Sequence, residues 1–487
     1  MKTTLSLWGG GAVLGMSMLL AACGGDAGTT QPRASSLLAA RMSSSTAASV
    51  DSVEVLAEDG LGTAYVTNAW GGHQGRITRH QDGSIRILYI RRSADTANPM
   101  EWRVMLRAAG ASGWTEEKTG TSTDDVNLLL DPTTDTAYVV AYPNSVPTIY
   151  EAPSYKSSTI PGTPVPWQTL PATSRHYSAV GMGADGTMCF KTSVELATPV
   201  ETSNTETHFV CGRRDPSSGW VWNTQQIQKI GNRYTYDYLF PGGFGTSQLV
   251  ATAQSDLHRT ATDFPNASLT YIFNGIGLYT ADISGTGTFN LQPLLPAYST
   301  PSPATTTLAP VARMIDSYMD SQKRLITTYY AEPGTGATAP TRGFYTIVRD
   351  AAGNVSQSQV WSGLAPYGFT RIFEDGSHRM WMLWTNQGTG YTQVKLYALT
   401  QDASGQLTLG AGTEFSTQFK PYAIEGAPRL ALTSRGQQLS NTVEVMFAAC
   451  EEKYGDKPSF SSPYYPNETP TKGTQKIIRF RINLPPQ

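Results

Sequence analysis

One pattern recurs down this chain: a strand-like run, a turn rich in Asp, Gly or Ser, then a second strand apolar on both faces. Its plainest copy lies between Arg76 and Arg92, where Asp82-Gly83 separates Ile77-Thr78-Arg79 from Ile85 to Ile90. Asp-Gly between two such runs predicts a hairpin with a type I′ turn, whose two central positions both take positive φ. In the second run Ile85, Ile87 and Tyr89 face one way and Leu88 and Ile90 the other. A strand apolar on both sides is sandwiched between layers rather than laid on a surface.

Six further versions follow. The second runs from Asp125 through a turn at Asp131-Pro132-Thr133-Thr134 to Tyr142 and closes around Trp167. The third starts at His176, turns at Asp185-Gly186 and ends near Trp220. The fourth starts at Tyr234 and turns at Gly242-Gly243. The fifth holds Ala312 to Tyr318, a turn at Asp320-Ser321-Gln322, and Val360-Trp361. The sixth runs from Phe369 through Asp375-Gly376 to Trp384, and the seventh from Pro428 to Leu432, through Arg435-Gly436, to Ala448. Successive turns stand about 50 to 60 residues apart, the scale of propeller repeats with their loops. One longer gap holds the Pro-, Thr- and Ser-rich stretch Pro293 to Pro310.

Helical periodicity is almost absent. Repeats of this length, each with about four strands, predict an all-β fold, a seven-bladed β-propeller over residues 51–487. Eight blades, with one in the long gap, and tandem β-sandwiches are the alternatives. The last unit offers Lys476 to Ile482 as a third strand, so Val53 to Ala57 is expected to supply the fourth and close the ring.

Residues 1–22 read as a signal peptide, with Lys2 ahead of an apolar Leu5 to Leu20 that falls short of the ~20 residues of a spanning helix. Leu20-Ala21-Ala22-Cys23 resembles the lipobox of bacterial lipoproteins. The resemblance implies cleavage before Cys23, a diacylglyceryl thioether on its sulfur and a palmitate-type chain on its amine. Several acyl chains make a stable anchor, at about 0.8 kcal/mol per buried CH₂. Gly24 in place of Asp implies, by analogy with enterobacterial sorting, the outer membrane, on its periplasmic or cell-surface side. Residues 23–50 are rich in Ala, Ser, Thr and Gly and read as a flexible tether.

Charged residues make up 15% of the chain and the net charge is −2, with no basic run, so nothing points to nucleic acid. The 24 Tyr and 46 Gly fit pleated surfaces joined by turns. Cys189 and Cys211 face each other if their strands form one hairpin centred near Val200, and an exported chain permits that disulfide; two buried thiols are the other reading. Cys450 reads as a small buried hydrophobe. There is no Gly-x-Ser-x-Gly elbow, His-Glu-x-x-His, Cys-x-x-Cys or Walker loop. Asp131 to Asp135 has the oxygens of a calcium loop and equally of a plain turn; no other cofactor is indicated.

The unit pattern, with Trp114, Trp167, Trp220 and Trp361 near unit ends, resembles the bacterial neuraminidase-repeat propellers, that is sialidases and propeller-type polysaccharide lyases. Their Ser-x-Asp-x-Gly-x-Thr-Trp box is nowhere intact and the sialidase Arg-Ile-Pro motif is absent. Propellers bind ligands where inner strands start around the axis. Residues at those starts are His73, Asp124, Asp125, Arg175, His176, Tyr177, Arg233, Tyr234, Arg313, Arg371 and Arg429, with Arg76 beside the first. Arg presents a planar fork to carboxylates and sulfates, which makes His73, Arg175, Arg233, Arg313, Arg371 and Arg429 candidates for an acidic glycan. His176, Tyr177 and Tyr234 are the candidate acid–base groups, of the types that uronate lyases of the ulvan-lyase kind use. His73, in Gly71-Gly72-His73-Gln74-Gly75, is expected to be exposed. Each of these residues also has a structural reading, an Arg tied to an Asp of the next blade or a Tyr packed between sheets. Two functions remain: an envelope lipoprotein propeller that binds an acidic polysaccharide, with its cleavage as lyase or glycosidase left open, or a non-catalytic adhesin, glycan receptor or scaffold for an envelope protein.

Overall fold

The Asp turns do close hairpins, though by a different geometry from type I′. Gly83 donates to the His80 carbonyl at 3.0 Å and His80 N–H bonds the Ser84 carbonyl at 2.9 Å. Gly83 is left-handed (φ +87°) and Asp82 is not. Asp82 instead holds the loop with its carboxylate, which accepts Ser84 N–H at 2.7 Å. The loop therefore spans three residues and ends in a left-handed position. Asp185, Asp320 and Asp375 accept the N–H two residues on at 3.0, 3.0 and 2.8 Å. The left-handed position falls on Gly186, Lys323 and His378 in those turns.

The computed structural model describes residues 47–51, 53–59, 64–65, 73, 75–161, 176–195, 205–224, 226–230, 233–258, 271–285, 290–296, 311–332, 342–362, 368–385, 393–403, 405–419, 422–431, 440–451 and 475–486. They lie in the unit Thr46–Gln487. Seven antiparallel sheets form among them, six laid down in chain order from the axis outward and the seventh likewise except for its outermost strand. The inner strands of blades 1 to 7 are Ala64–Tyr65 with Ile77–Arg79, Asn127–Asp131, His176–Met182, Arg233–Pro241, Val311–Met319, Phe369–Glu374 and Tyr422–Leu430. The architecture is the seven-bladed β-propeller. The long gap holds no eighth sheet among the described residues: Gln248–His258, Tyr271–Asp282 and Asn290–Leu295 are the remaining strands of blade 4. No helix among the described residues is long and apolar enough to cross a membrane.

The buried apolar residues fall into clusters that sit between blades. Ile85, Ile87 and Tyr89 pack with Met446 and Ile477 of blade 7, while Leu88 and Ile90 pack with Leu128 and Val139 of blade 2. The two faces of that one strand thus fill two gaps. The same holds around the ring for blades 2–3, 3–4, 4–5, 5–6 and 6–7. Cys189 and Cys211 pair directly in register and their sulfurs are bonded at 2.02 Å, inside the cluster between blades 3 and 4. Trp167 lies outside the described residues, as does the side chain of Cys450.

The last blade is completed by the start of the fold. Ser49 and Val50 pair with Asn483 and Ile482, and Glu54–Asp59 pairs along the same strand. Glu54 then fastens the seam. Its carboxylate accepts Arg479 Nη1 at 2.8 Å, Arg107 Nη1 at 3.0 Å and Trp114 Nε1 at 2.9 Å, the last two from blade 1. Arg479 is 2% exposed and also bonds Glu444. Glu54→Ala leaves that buried guanidinium half-partnered. It is expected to cost about 2 kcal/mol, a fall of about 2 °C in Tm for a chain of this size, in thermal unfolding.

Candidate functional site

The chain enters each blade at the start of its inner strand and leaves that strand by the turn, so starts gather at one end of the axis and turns at the other. Counting back from the residue that opens the turn gives depth. Arg76, Tyr238, Asp316 and Arg371 each stand four positions before it (76/80, 238/242, 316/320, 371/375). Arg313, His176 and Arg233 stand seven to nine positions before it (313/320, 176/183, 233/242), nearer the entry end.

The deep level is a polar group built from several blades. Arg371 Nη1 donates to Asp316 Oδ1 at 2.7 Å and to the Tyr238 hydroxyl at 3.2 Å. Asp316 Oδ2 accepts Ile372 N–H at 2.7 Å, and Tyr238 donates to the Ile315 carbonyl at 3.0 Å. One carboxylate and one phenol thus tie blades 4, 5 and 6. Arg76 crosses to blade 2, where Nη1 bonds the Val126 carbonyl and Nη2 lies 3.8 Å from Asp125. The blades approach so closely there that a Cβ on Gly75 would stand 2.4 Å from the Leu128 carbonyl oxygen.

Arg429 stands apart from these pairs. Among the described residues its hydrogen bond runs from Nη1 to the Ala427 carbonyl at 3.2 Å, and its Nε has no acceptor. Burial, with Arg76 and Arg371 close by, pushes its pKa down to about 9, opposed by Tyr238 and Asp125. Burial likewise pushes Arg76 down to about 10 against the pull of Asp125. Arg76, Arg371 and Arg429 are at most 4% exposed.

Tyr238, Asp316 and Arg429 each follow a bulge in the inner strand. A bulge inserts an unpaired residue and re-aims the side chains beyond it. In blade 4 the bulge puts Tyr236 at φ +57°. His73 of blade 1 meets this tyrosine pair edge-on, its ring centroid 6.1 Å from both Tyr236 and Tyr238. The Gly-rich sequence around His73 suggests exposure; the tyrosines from the far side of the ring bury it instead.

The other candidates disperse. Arg313 is half-buried with its guanidinium carbon 5.4 Å from the Phe369 ring centroid. Tyr234 packs edge-on against Tyr279 at 5.6 Å and over Gly277, and burial raises its pKa. Its carbonyl accepts Lys191 Nζ, which is also 2.5 Å from Asp237, a buried pair between blades 3 and 4. His176, Tyr177 and Arg233 start their inner strands, paired with Val194, Ser193 and Asp256; their side chains lie outside the described residues, as do all of Arg175 and Cys23. Asp131 uses both carboxylate oxygens within its own turn, on Thr133 and Thr134.

At the turn end Ser321, His378 and Glu374 come together, but both Ser321 and Glu374 contact the same His378 Nδ1, at 3.0 and 2.8 Å. A hydrolase relay needs one partner on each ring nitrogen, so this set braces two turns. Asp316, Tyr238 and Asn127 are absent from the sequence-based candidates. The four-before-the-turn spacing is the signal that finds the first two.

No family model matches the chain, and no curated protein matches it. Solved structures do. An ulvan lyase of polysaccharide lyase family PL25, bound to -[GlcA(1-4)Rha3S]-, has TM-score 0.50 at 7% identity over 81% of this chain and 92% of that one. Polysaccharide lyase Uly1 has TM-score 0.49 at 8% identity, covering 88% and 93%. At such identity the likeness is one of fold.

Arg371→Met is expected to destabilise by about 3–5 kcal/mol, because the buried Asp316 carboxylate loses the guanidinium that neutralises it. Asp316→Asn added to it should recover part of that loss. A double-mutant cycle by urea unfolding measures the coupling.

Proposed function

We propose that this protein is an envelope lipoprotein whose propeller binds an acidic polysaccharide at the entry end of its axis. The observation that carries the reading is the buried arginine group, in which Arg429 has no carboxylate of its own. Fixed cations between low-dielectric walls focus a positive potential along the axis and draw an anionic chain to it. Arg313, half-buried nearer the entry end, adds to that field. The shared fold with a saccharide-bound ulvan lyase supports a glycan as the ligand.

The residue types suit β-elimination on a uronate. A guanidinium neutralises the carboxylate, a His or Tyr takes the C5 proton, and a Tyr protonates the leaving oxygen as the C4–O bond breaks. His73 with Tyr236 is one such pair; the other candidate acid–base groups, His176 and Tyr177, start the inner strand of blade 3. A non-catalytic receptor is the second reading. It is favoured by the commitment of Arg371 and Tyr238 to bonds between blades, which leaves them positioning roles.

A panel of uronate- and sulfate-bearing polysaccharides tests this directly. Binding should be measurable by calorimetry and weaken as salt rises, since exposed charge attraction is screened beyond a Debye length of about 8 Å at physiological salt. Elimination would appear as near-ultraviolet absorbance of the unsaturated product, and hydrolysis as reducing ends without it. Binding without either product selects the receptor; no binding to any polymer overturns the reading. The anchor is tested apart from the ligand: Cys23→Ser should move the protein from the membrane fraction to the soluble one, and retention in the membrane counts against lipidation.

A further inference from the structure

Among the described residues near the axis, several buried donors have no acceptor. Arg429 Nε, Arg371 Nε and the Asn127 side-chain amide nitrogen have no acceptor, and they come from blades 7, 6 and 2. Asn127 uses its oxygen on Gly75 N–H at 3.1 Å, beside Arg76. Asp316 is consumed by Arg371 and Ile372, and Asp125 lies next to Arg76. The charges that act on Arg429 are Arg76 and Arg371 against Asp125 and Tyr238, so two guanidiniums face one carboxylate and a neutral phenol. A buried cation with no carboxylate in direct contact is among the costliest groups to take from water, and Arg429 follows a bulge in its inner strand.

We propose that Arg429, with Arg371, Arg76 and Asn127 around it, forms a site for one small anionic group. The guanidinium forks offer paired N–H donors of the kind that suit halide, sulfate or carboxylate. The donors' burial, at most 4% exposed, limits the ligand to a single ion or one acidic substituent. Two sources share that chemistry: a free inorganic ion resident on the axis, or the acidic group of a bound saccharide. The site does not rest on the glycan reading, because a free ion would fill it unaided.

The test is thermal unfolding of the full chain at constant ionic strength, with a bulky sulfonate as balancing anion and bromide or glucuronate as probe. A resident-ion site predicts that Tm rises with the logarithm of bromide concentration, by about 1.5 °C per tenfold above the dissociation constant. Bromide-soaked crystals should then show an anomalous peak within hydrogen-bond distance of Arg429 Nε, and Arg429→Gln should abolish the response. A response to glucuronate alone, lost in Arg429→Gln, supports the site and assigns its anion to the saccharide. Flat curves for both probes in the unsubstituted protein, with no bromide peak at Arg429, overturn the proposal whether or not Arg429→Gln folds. A bromide response in a protein that binds no polysaccharide would remove the glycan reading and leave this one standing.

Discussion

Every apolar cluster among the described residues lies between blades, so a sheet keeps its inner residues dry only once its neighbour is in place. Ile87 and Leu88 are adjacent in sequence and lie in different cores. Stability is therefore a property of contacts between successive blades, as in repeat proteins generally. A ring adds a further condition: the last contact must join blade 7 to blade 1. Glu54 meets that condition at one point, where hydrogen bonds to Arg479, Arg107 and Trp114 draw a strand and two blades together.

The same logic extends to polar residues near the axis. Inner strands crowd there, and backbone approach leaves no room for bulk, as Gly75 shows. Long side chains bridge from one blade to another instead. Arg371 reaches Asp316 and Tyr238, Arg76 reaches Val126 and Asp125, and Gln254 accepts Met314 N–H at 2.5 Å while donating to the Ala312 carbonyl at 3.0 Å. Residue types that suggest ligand binding are therefore also the ones that brace the ring. Arg429 is the exception among the described residues: its hydrogen bond to the Ala427 carbonyl stays within its own strand and its Nε has no acceptor, which separates it from the braces.

The repeat was legible because turn chemistry is local. Asp82, Asp185, Asp320 and Asp375 declare their hairpins within a few residues, and a both-faces-apolar strand such as Ile85–Arg92 declares its sandwiching. Closure was legible from a strand shortage in the last unit. The turn type was not, since Asp-Gly serves two geometries and only the carboxylate bond to Ser84 selects between them. The axial group was half legible. Arg371 and Arg429 stand out as arginines near inner strands, but strand alternation assigns faces only while pairing stays in register. Bulges before Tyr238, Asp316 and Arg429 break that count. His73 escaped for another reason: its burial is made by Tyr236 and Tyr238, more than a hundred and fifty positions away.

The pairing of Ser49 with Asn483 has a consequence in time. A ribosome makes these two partners 434 positions apart, so through that stretch of synthesis the strand at Ser49 has nowhere to dock. The blades between them can assemble in sequence while the seam stays open, and the first and last sheets keep bare edges until the second partner emerges. Contacts of such long range form slowly. A ring closed by partners so far apart in the chain stays open until both have been made.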